Sequence, residues 1–336
     1  MNPCPAIRTT VVGSYPVPLW LTVVSNRDSL RDAMLAVLKI QELAGIDVVA
    51  DGELCRWDVN HAETNGMIDY FVRPLDGVAT RLTAAQLAAW RARAGTAFRA
   101  APPGVVVGPI GPGTLDLAAD YARFRDLTDR PKKFTVTSPY MLAKMLADDH
   151  YRDLEALVMA LADVLRDQVA AVDADVVQID EANLTGTPED GPLAAAAINR
   201  VLDAVQKESA VHLCFGNYAG QTIQQGAYAP LLGFLNALEA DHLVLEIARR
   251  PAGDLEALAE VTRPGLGLGI GVIDVKDTEV ESADAVARRI ERAVAVLGAD
   301  RLRYVHPDCG FWMLSRRVAD LKMRALVAGR DRFEGR

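Results

Sequence analysis

"DVVQIDE", residues 175–181, is a short, mostly apolar run that ends in two acids. Seven more stretches share the form: "TTVVGSY" (9–15), "DVVADGE" (47–53), "KFTVTSP" (133–139), "VHLCFGN" (211–217), "HLVLEIA" (242–248), "GLGIGVID" (267–274) and "LRYVHPD" (302–308). Such near-continuous apolar runs suit strands buried on both faces. Helical patterns lie between them. "DSLRDAMLAVLKIQELAG" is expected to be capped at Asp28 or Ser29 and to stop at Gly45. "YRDLEALVMALADVLRDQVAAV" sets Leu154, Leu157, Val158, Leu161, Leu165 and Val169 on one stripe. A third helix stops at Gly298, and "MLSRRVADLKMRALVAG" closes the chain ahead of a polar tail, "RDRFEGR".

Eight strands alternating with helices predict an α/β fold, a (β/α)8 TIM barrel. A doubly wound open sheet is the runner-up. No GxGxxG follows the first strand, and the glycine-rich "GLGLGIG" (265–271) reads as part of a late strand rather than a nucleotide loop. Residues 66–128 break the alternation with Pro/Gly turns around "TAAQLAAWRARAG". They are expected to form an insertion after the second strand, a hairpin reaching over the barrel mouth, within a single domain spanning 1–336.

Half of the 336 residues are hydrophobic, enough for one large core. The net charge of -9 argues against nucleic acid and anionic membranes as partners. No run of about 18 uncharged apolar residues offers a membrane span, and the N-terminus lacks a secretory pattern. Cys4, Cys55, Cys214 and Cys309 are widely scattered. This usage suits a reducing cytoplasm, where clustered thiols hold metals more often than they pair.

The strand ends are unusually polar. They carry Ser14, Asp51, Glu53, Asp180, Glu181, His212, Cys214, Asn217, Glu246, Asp274, Lys276, Asp308 and Cys309. In a barrel these ends form the catalytic face, and buried carboxylates are costly unless paired or bound. His212 and Cys214 lie two apart on one strand and so share a face. Alone, His-x-Cys is better explained by a core cysteine and a satisfied histidine. With Glu246 and Cys309 at neighbouring strand ends, the set offers zinc an imidazole, two thiolates and a carboxylate.

These residues also carry a resemblance. "HLCFGN", the Glu in "LVLEIARR", "GIGVIDVKDTEVES" and "YVHPDCGF" are similar to the catalytic barrel of cobalamin-independent methionine synthases. "TTVVGSYP", "DVVADGELCRWD" and "VVQIDEANL" extend the match in order over most of the chain. The resemblance implies a zinc-dependent methyltransferase that activates the homocysteine thiol to make methionine. It implies Zn2+ held by His212, Cys214, Glu246 and Cys309, and homocysteine held by Gly13, Ser14, Glu53 and Asp180, the two acids taking the ammonium group.

Two departures set the expectations for the donor. Family enzymes of the long type carry a second barrel, for which this chain has no room, so it resembles a short single-barrel branch. Where those enzymes have a catalytic His, this chain has Lys276, and "FTVTSPYML" lacks their aromatic pterin segment. A corrinoid-bound or other methyl donor, on a partner protein docking near the insertion, is therefore expected over folate. Lys276 and Asp274 are the candidate catalytic pair, with Lys276 either meeting substrate or paired to Asp274 or Asp180. His306 is expected to be supporting, Cys55 packed, Cys4 terminal, His61 at the mouth or solvated, and the loop at 249–251 solvated. The alternatives are a thiol transferase of the epoxyalkane–coenzyme M type and a non-catalytic zinc-binding barrel.

Overall fold

The structure is a computed structural model and describes residues 6–58, 66–92, 99–217 and 224–336. His61 and Cys4 lie outside the described residues. In chain order the strands are β1 (Arg8–Thr9), β2 (Val49–Ala50), β3 (Asp76–Ala79), β4 (Val105–Gly111), β5 (Lys132–Thr137), β6 (Ala147–Asp148), β7 (Val176–Glu181), β8 (Glu208–Leu213), β9 (His242–Leu245), β10 (Gly267–Ile273) and β11 (Leu302–Pro307). Eight of them make one parallel sheet in the order β1-β11-β10-β9-β8-β7-β5-β2. Thr10 bridges Val48, also in parallel, so the two end strands meet and the sheet curls onto itself. All eight predicted strands are in it, which favours the barrel over the open sheet.

Two apolar clusters explain the strand composition. The larger lies between the sheet and its surrounding helices. The smaller is Val12, Val48, Val176, Ala210, Val244 and Tyr304, from alternate positions of six barrel segments, and fills part of the interior. The rest of the interior is polar. The glycines of β10 make room for it: a Cβ at Gly269 would stand 3.2 Å from the His306 ring, and one at Gly271 would stand 2.0 Å from Asp308 Oδ1. Their absence of side chain, not a phosphate loop, accounts for "GLGLGIG".

Between residues 66 and 128, β3 and β4 pair antiparallel as a hairpin would, and β6, from beyond the segment, adds a third strand. This small sheet is tied to the start of the following helix where Ile110 N donates to Tyr151 Oη at 3.0 Å. The segment's last helix, Leu117–Arg125, belongs to the barrel's outer layer, with Leu117 and Phe124 buried. Among the described residues no helix is long and apolar enough to cross a membrane.

Two helix boundaries differ from expectation. The helix Arg27–Ala44 is capped by Asn26, whose side chain accepts from Ser29 N, and not by Asp28 or Ser29; Gly45 ends it with φ 87°. The closing helix runs Arg316–Glu334, through the supposed tail. Its polar residues are structural: Arg330 donates to the Ile7 carbonyl and to Asp47 Oδ2, each at 2.7 Å, and Glu334 accepts from Ile7 N at 2.8 Å. The last turn thereby anchors β1.

Candidate active site and metal centre

Strand parity aims Asp180 and His212 into the barrel. They are direct partners across β7 and β8, and both are at most 3% exposed. Cys214 follows on β8's far side of the same face, and Cys309 follows β11. One ligand atom from each of His212, Cys214 and Cys309 lies within 4.8 Å of the others. His212 Nδ1 is 2.8 Å from the Val244 carbonyl. A carbonyl only accepts, so Nδ1 carries a proton and Nε2 is the ring nitrogen available to a metal. That Nε2 is buried and has no partner in hydrogen-bond geometry.

The electrostatics agree with a cation site. Its hydrogen bond with Cys214 and the nearby His212 hold the Cys309 thiol well below its usual range, against burial. Cys214, on the other end of that bond and buried, is pushed up. Burial opposes the protonation of His212, but Cys309, Asp180 and the Val244 carbonyl together outweigh it and raise it. Metal binding at such a site would displace the protons of the thiols. The donor set of one imidazole and two thiolates fits zinc.

Glu246 stands next to this trio but is held differently from expectation. Its Oε2 accepts from Phe215 N at 3.1 Å. Its Oε1 meets Lys276 Nζ at 2.6 Å, and both side chains are 1% exposed. Among the described residues, the carboxylate that Lys276 Nζ meets is Glu246, not Asp274 or Asp180. Asp274 instead accepts the backbone N–H of Lys276 at 2.8 Å and pairs with Arg249 at 3.1 Å. The 249–251 loop is not simply solvated either: the Arg250 guanidinium lies 3.5 Å from the Phe215 ring centroid and meets Asp254 at 2.6 Å. This braces the residue that follows Cys214.

Asp308 shapes the same rim. Its carboxylate accepts from the N–H groups of Ile247, Ala248 and Arg249 at 2.9, 2.7 and 3.1 Å. Burial, and then the Glu246 charge, push it up to about 7. It fixes the loop after Glu246 and the start of the turn holding Cys309. His306 is buried inside the barrel with Nδ1 at 2.7 Å from the Pro307 carbonyl, and burial pushes it down to about 3. It is a neutral supporting group. The Cys55 thiol, 3.8 Å from Asp51 Oδ2, is pushed up by burial and then by Asp51, which agrees with packing and not with reactivity.

The other predicted residues face each other across the mouth. Glu53 adopts a left-handed φ of 58°, a strained conformation for a non-glycine residue. It is held there by Thr135 Oγ1, which donates to Glu53 Oε1 at 2.7 Å, and by Arg56, whose NH1 is 3.5 Å from the same oxygen. A Cβ on Gly13 would come within 2.3 Å of that oxygen, so any side chain there would displace the Glu53 carboxylate. Ser14 bridges outward: Phe311 N donates to its carbonyl at 2.8 Å, and Tyr15 N donates to Gly52 O at 3.0 Å. A Cβ on Gly310 would stand 1.9 Å from Ser14 Oγ. The Gly13–Ser14 segment thus links the Glu53 turn to the turn carrying Cys309. Burial pushes Asp180 up to about 7.

Sequence reasoning missed Arg56, Thr135, Gln178 and Lys133. The last three occupy inward positions of β5 and β7, two residues apart from one another or from Asp180, and that parity was a usable signal. Arg56 lies on a short turn with no periodic signal.

Comparison with known proteins agrees with this geometry. The family model described as "Cobalamin-independent synthase, Catalytic domain" matches residues 7–330. A methionine synthase of Thermococcus kodakarensis is 30% identical over 97% of this chain and 93% of its own. One of Pyrococcus abyssi is 28% identical over 96% and 91%. The solved B12-independent methionine synthase of Shewanella sp. W3-18-1, in complex with selenomethionine, superimposes with a TM-score of 0.81 at 25% identity over 98% of both chains. By the family match over nearly its full length, its barrel fold and the thiol and imidazole cluster at its strand ends, the chain belongs to the cobalamin-independent methionine synthase family of methyltransferases.

Proposed function

We propose that this chain methylates homocysteine to methionine with zinc bound by His212, Cys214, Cys309 and Glu246, using a donor with a better leaving group than methyltetrahydrofolate. The carrying observation is the cluster of three metal-ligand atoms within 4.8 Å, at the same barrel end as two inward carboxylates. Zinc at such a site keeps a bound thiol deprotonated, and the thiolate is the nucleophile. Glu246 is the hard oxygen of the set and the ligand most readily exchanged. Lys276, 2.6 Å from Glu246 Oε1, holds that carboxylate in place beside the cluster.

Asp180 and Glu53 take the ammonium group of the amino acid, with Gly13 and Ser14 lining the wall beside Glu53. A sulfonate-bearing thiol would face the same two carboxylates and be repelled, which disfavours the coenzyme M alternative. In the transfer, the S–CH3 bond forms as the donor–CH3 bond breaks, and the donor leaves with the electron pair. The protein's contribution is to hold the sulfur in line.

A folate amine leaves poorly unless protonated, so it needs an acid nearby. Lys276 is committed to Glu246 at 2.6 Å and supplies none. A methylated corrinoid, whose departure needs no proton, suits the site better. Zinc-loaded enzyme with homocysteine and either methylcobalamin or methyltetrahydrofolate tests the reading. Methionine formation with methylcobalamin is expected; fast turnover with folate alone would refute the donor assignment. No thiol binding at all would refute the function.

A further inference from the structure

The barrel interior holds a buried polar chain that the zinc and substrate assignments leave unused. Lys133 on β5 is 1% exposed, and Gln178 on β7 is fully buried. Lys133 Nζ donates to Gln178 Oε1 at 2.7 Å and to the Val11 carbonyl at 2.8 Å. Gln178 Nε2 in turn donates to the Val12 carbonyl at 2.9 Å and to Asp180 Oδ1 at 2.7 Å.

Neither acceptor of Lys133 is a carboxylate, so its charge is buried against neutral oxygens, a costly arrangement. Burial pushes its pKa down to about 7. An apolar side chain here would leave the Val11 carbonyl and Gln178 Oε1 without a donor, so the lysine serves this polar chain and does more than fill space.

The chain of bonds runs in one sense only. A glutamine amide can be turned end for end, and its two ends differ in donor and acceptor character. Val12 O can only accept and must face the NH2 end, where Asp180 Oδ1 accepts as well. Lys133 as an ammonium is a donor only and faces the oxygen. Turning the amide would oppose like groups at every contact. Asp180 and the Val11–Val12 backbone are therefore fastened to one another through a single rigid amide. Val12 leads directly into Gly13, which stands against Glu53 Oε1, so both mouth carboxylates are referenced to the same segment.

We infer that Lys133 and Gln178 are positioning residues that fix the Asp180 carboxylate relative to the Val11–Ser14 segment, and that this fixed relation selects thiols bearing an α-ammonium group. The inference rests on the homocysteine reading above.

The test compares homocysteine with 4-mercaptobutanoate, the same thiol acid without the amine, by titration into zinc-loaded protein. Wild type should prefer homocysteine. Gln178→Glu keeps the shape and the contact with Lys133 but turns an acceptor toward Asp180 and Val12. Its affinity for homocysteine should fall about tenfold, as for the loss of one charge-assisted hydrogen bond, while affinity for the analogue changes less than about twofold. Zinc content should be unchanged. Gln178→Met and Lys133→Met should shift the preference the same way; Gln178→Glu carries the test if these do not fold. Equal weakening of both thiols would reduce the chain to packing and overturn the inference, as would an unchanged preference. A wild type with no preference for homocysteine would overturn the functional reading and this inference with it.

Discussion

Replacing Lys276 by methionine removes one charge from a pair whose members are 2.6 Å apart and each 1% exposed. At an effective dielectric of about 20, the gross attraction at this distance is roughly 6 kcal/mol before desolvation is counted. Removing one member of such a buried pair costs about 3–5 kcal/mol, because the remaining charge is left without compensation. In a chain of this size that corresponds to a drop in Tm of roughly 4–7 °C. This applies to metal-free protein. With zinc bound, Glu246 has a second cation within reach, and much of the loss should be recovered. Zinc should therefore raise the Tm of Lys276→Met by several degrees more than it raises that of wild type, because the ion compensates a carboxylate that Lys276 no longer does. Scanning calorimetry of both proteins, with chelator and with excess zinc, gives the four values needed. An equal Tm loss with and without zinc would mean that Glu246 does not reach the metal, and the ligand set would shrink to His212, Cys214 and Cys309.

Three further outcomes are expected. Cys309→Ser should lose most of its zinc by metal analysis, since one of two thiolates is gone; zinc content equal to wild type would remove Cys309 from the site. His306 is held neutral with a pKa near 3, against about 6.5 in the unfolded chain, so between these values the unfolded state binds the extra proton and stability falls as pH falls. Denaturant unfolding of His306→Gln from pH 6.5 to 4 should show a pH slope smaller by up to about 1.4 kcal/mol per unit than wild type; identical slopes would contradict the neutral assignment. Arg330→Met, which removes the 2.7 Å bonds to Ile7 and Asp47, should destabilise the protein by about 2–3 kcal/mol in urea titration, and no change would show that the last helical turn does not anchor β1.

What the sequence determined by itself was the order of elements and the chemistry at the strand ends. Parallel strands buried on both faces must be apolar along their length, so "DVVQIDE" and its seven counterparts announce themselves, and the first polar residue after each apolar run falls at the mouth. His212, Cys214 and Cys309 were legible for that reason. Helix ends were less so, because a cap depends on which side chain reaches the first free N–H; Asn26 does so, though Asp28 and Ser29 carry the same chemistry. The charged end of the last helix looked like a solvated tail, since nothing in "RDRFEGR" announces that Ile7 and Asp47 lie beside it. Only the tertiary structure decided the pairings. Lys276 lies 30 residues from Glu246, Lys133 lies 45 from Gln178, and Asp308 binds amides 59–61 residues away. Which opposite charges meet inside a barrel depends on strand order and shear, and neither is written in the local pattern. The chain of bonds from Lys133 to Asp180 exists because three strands that are separate in sequence turn their inward positions onto the same point.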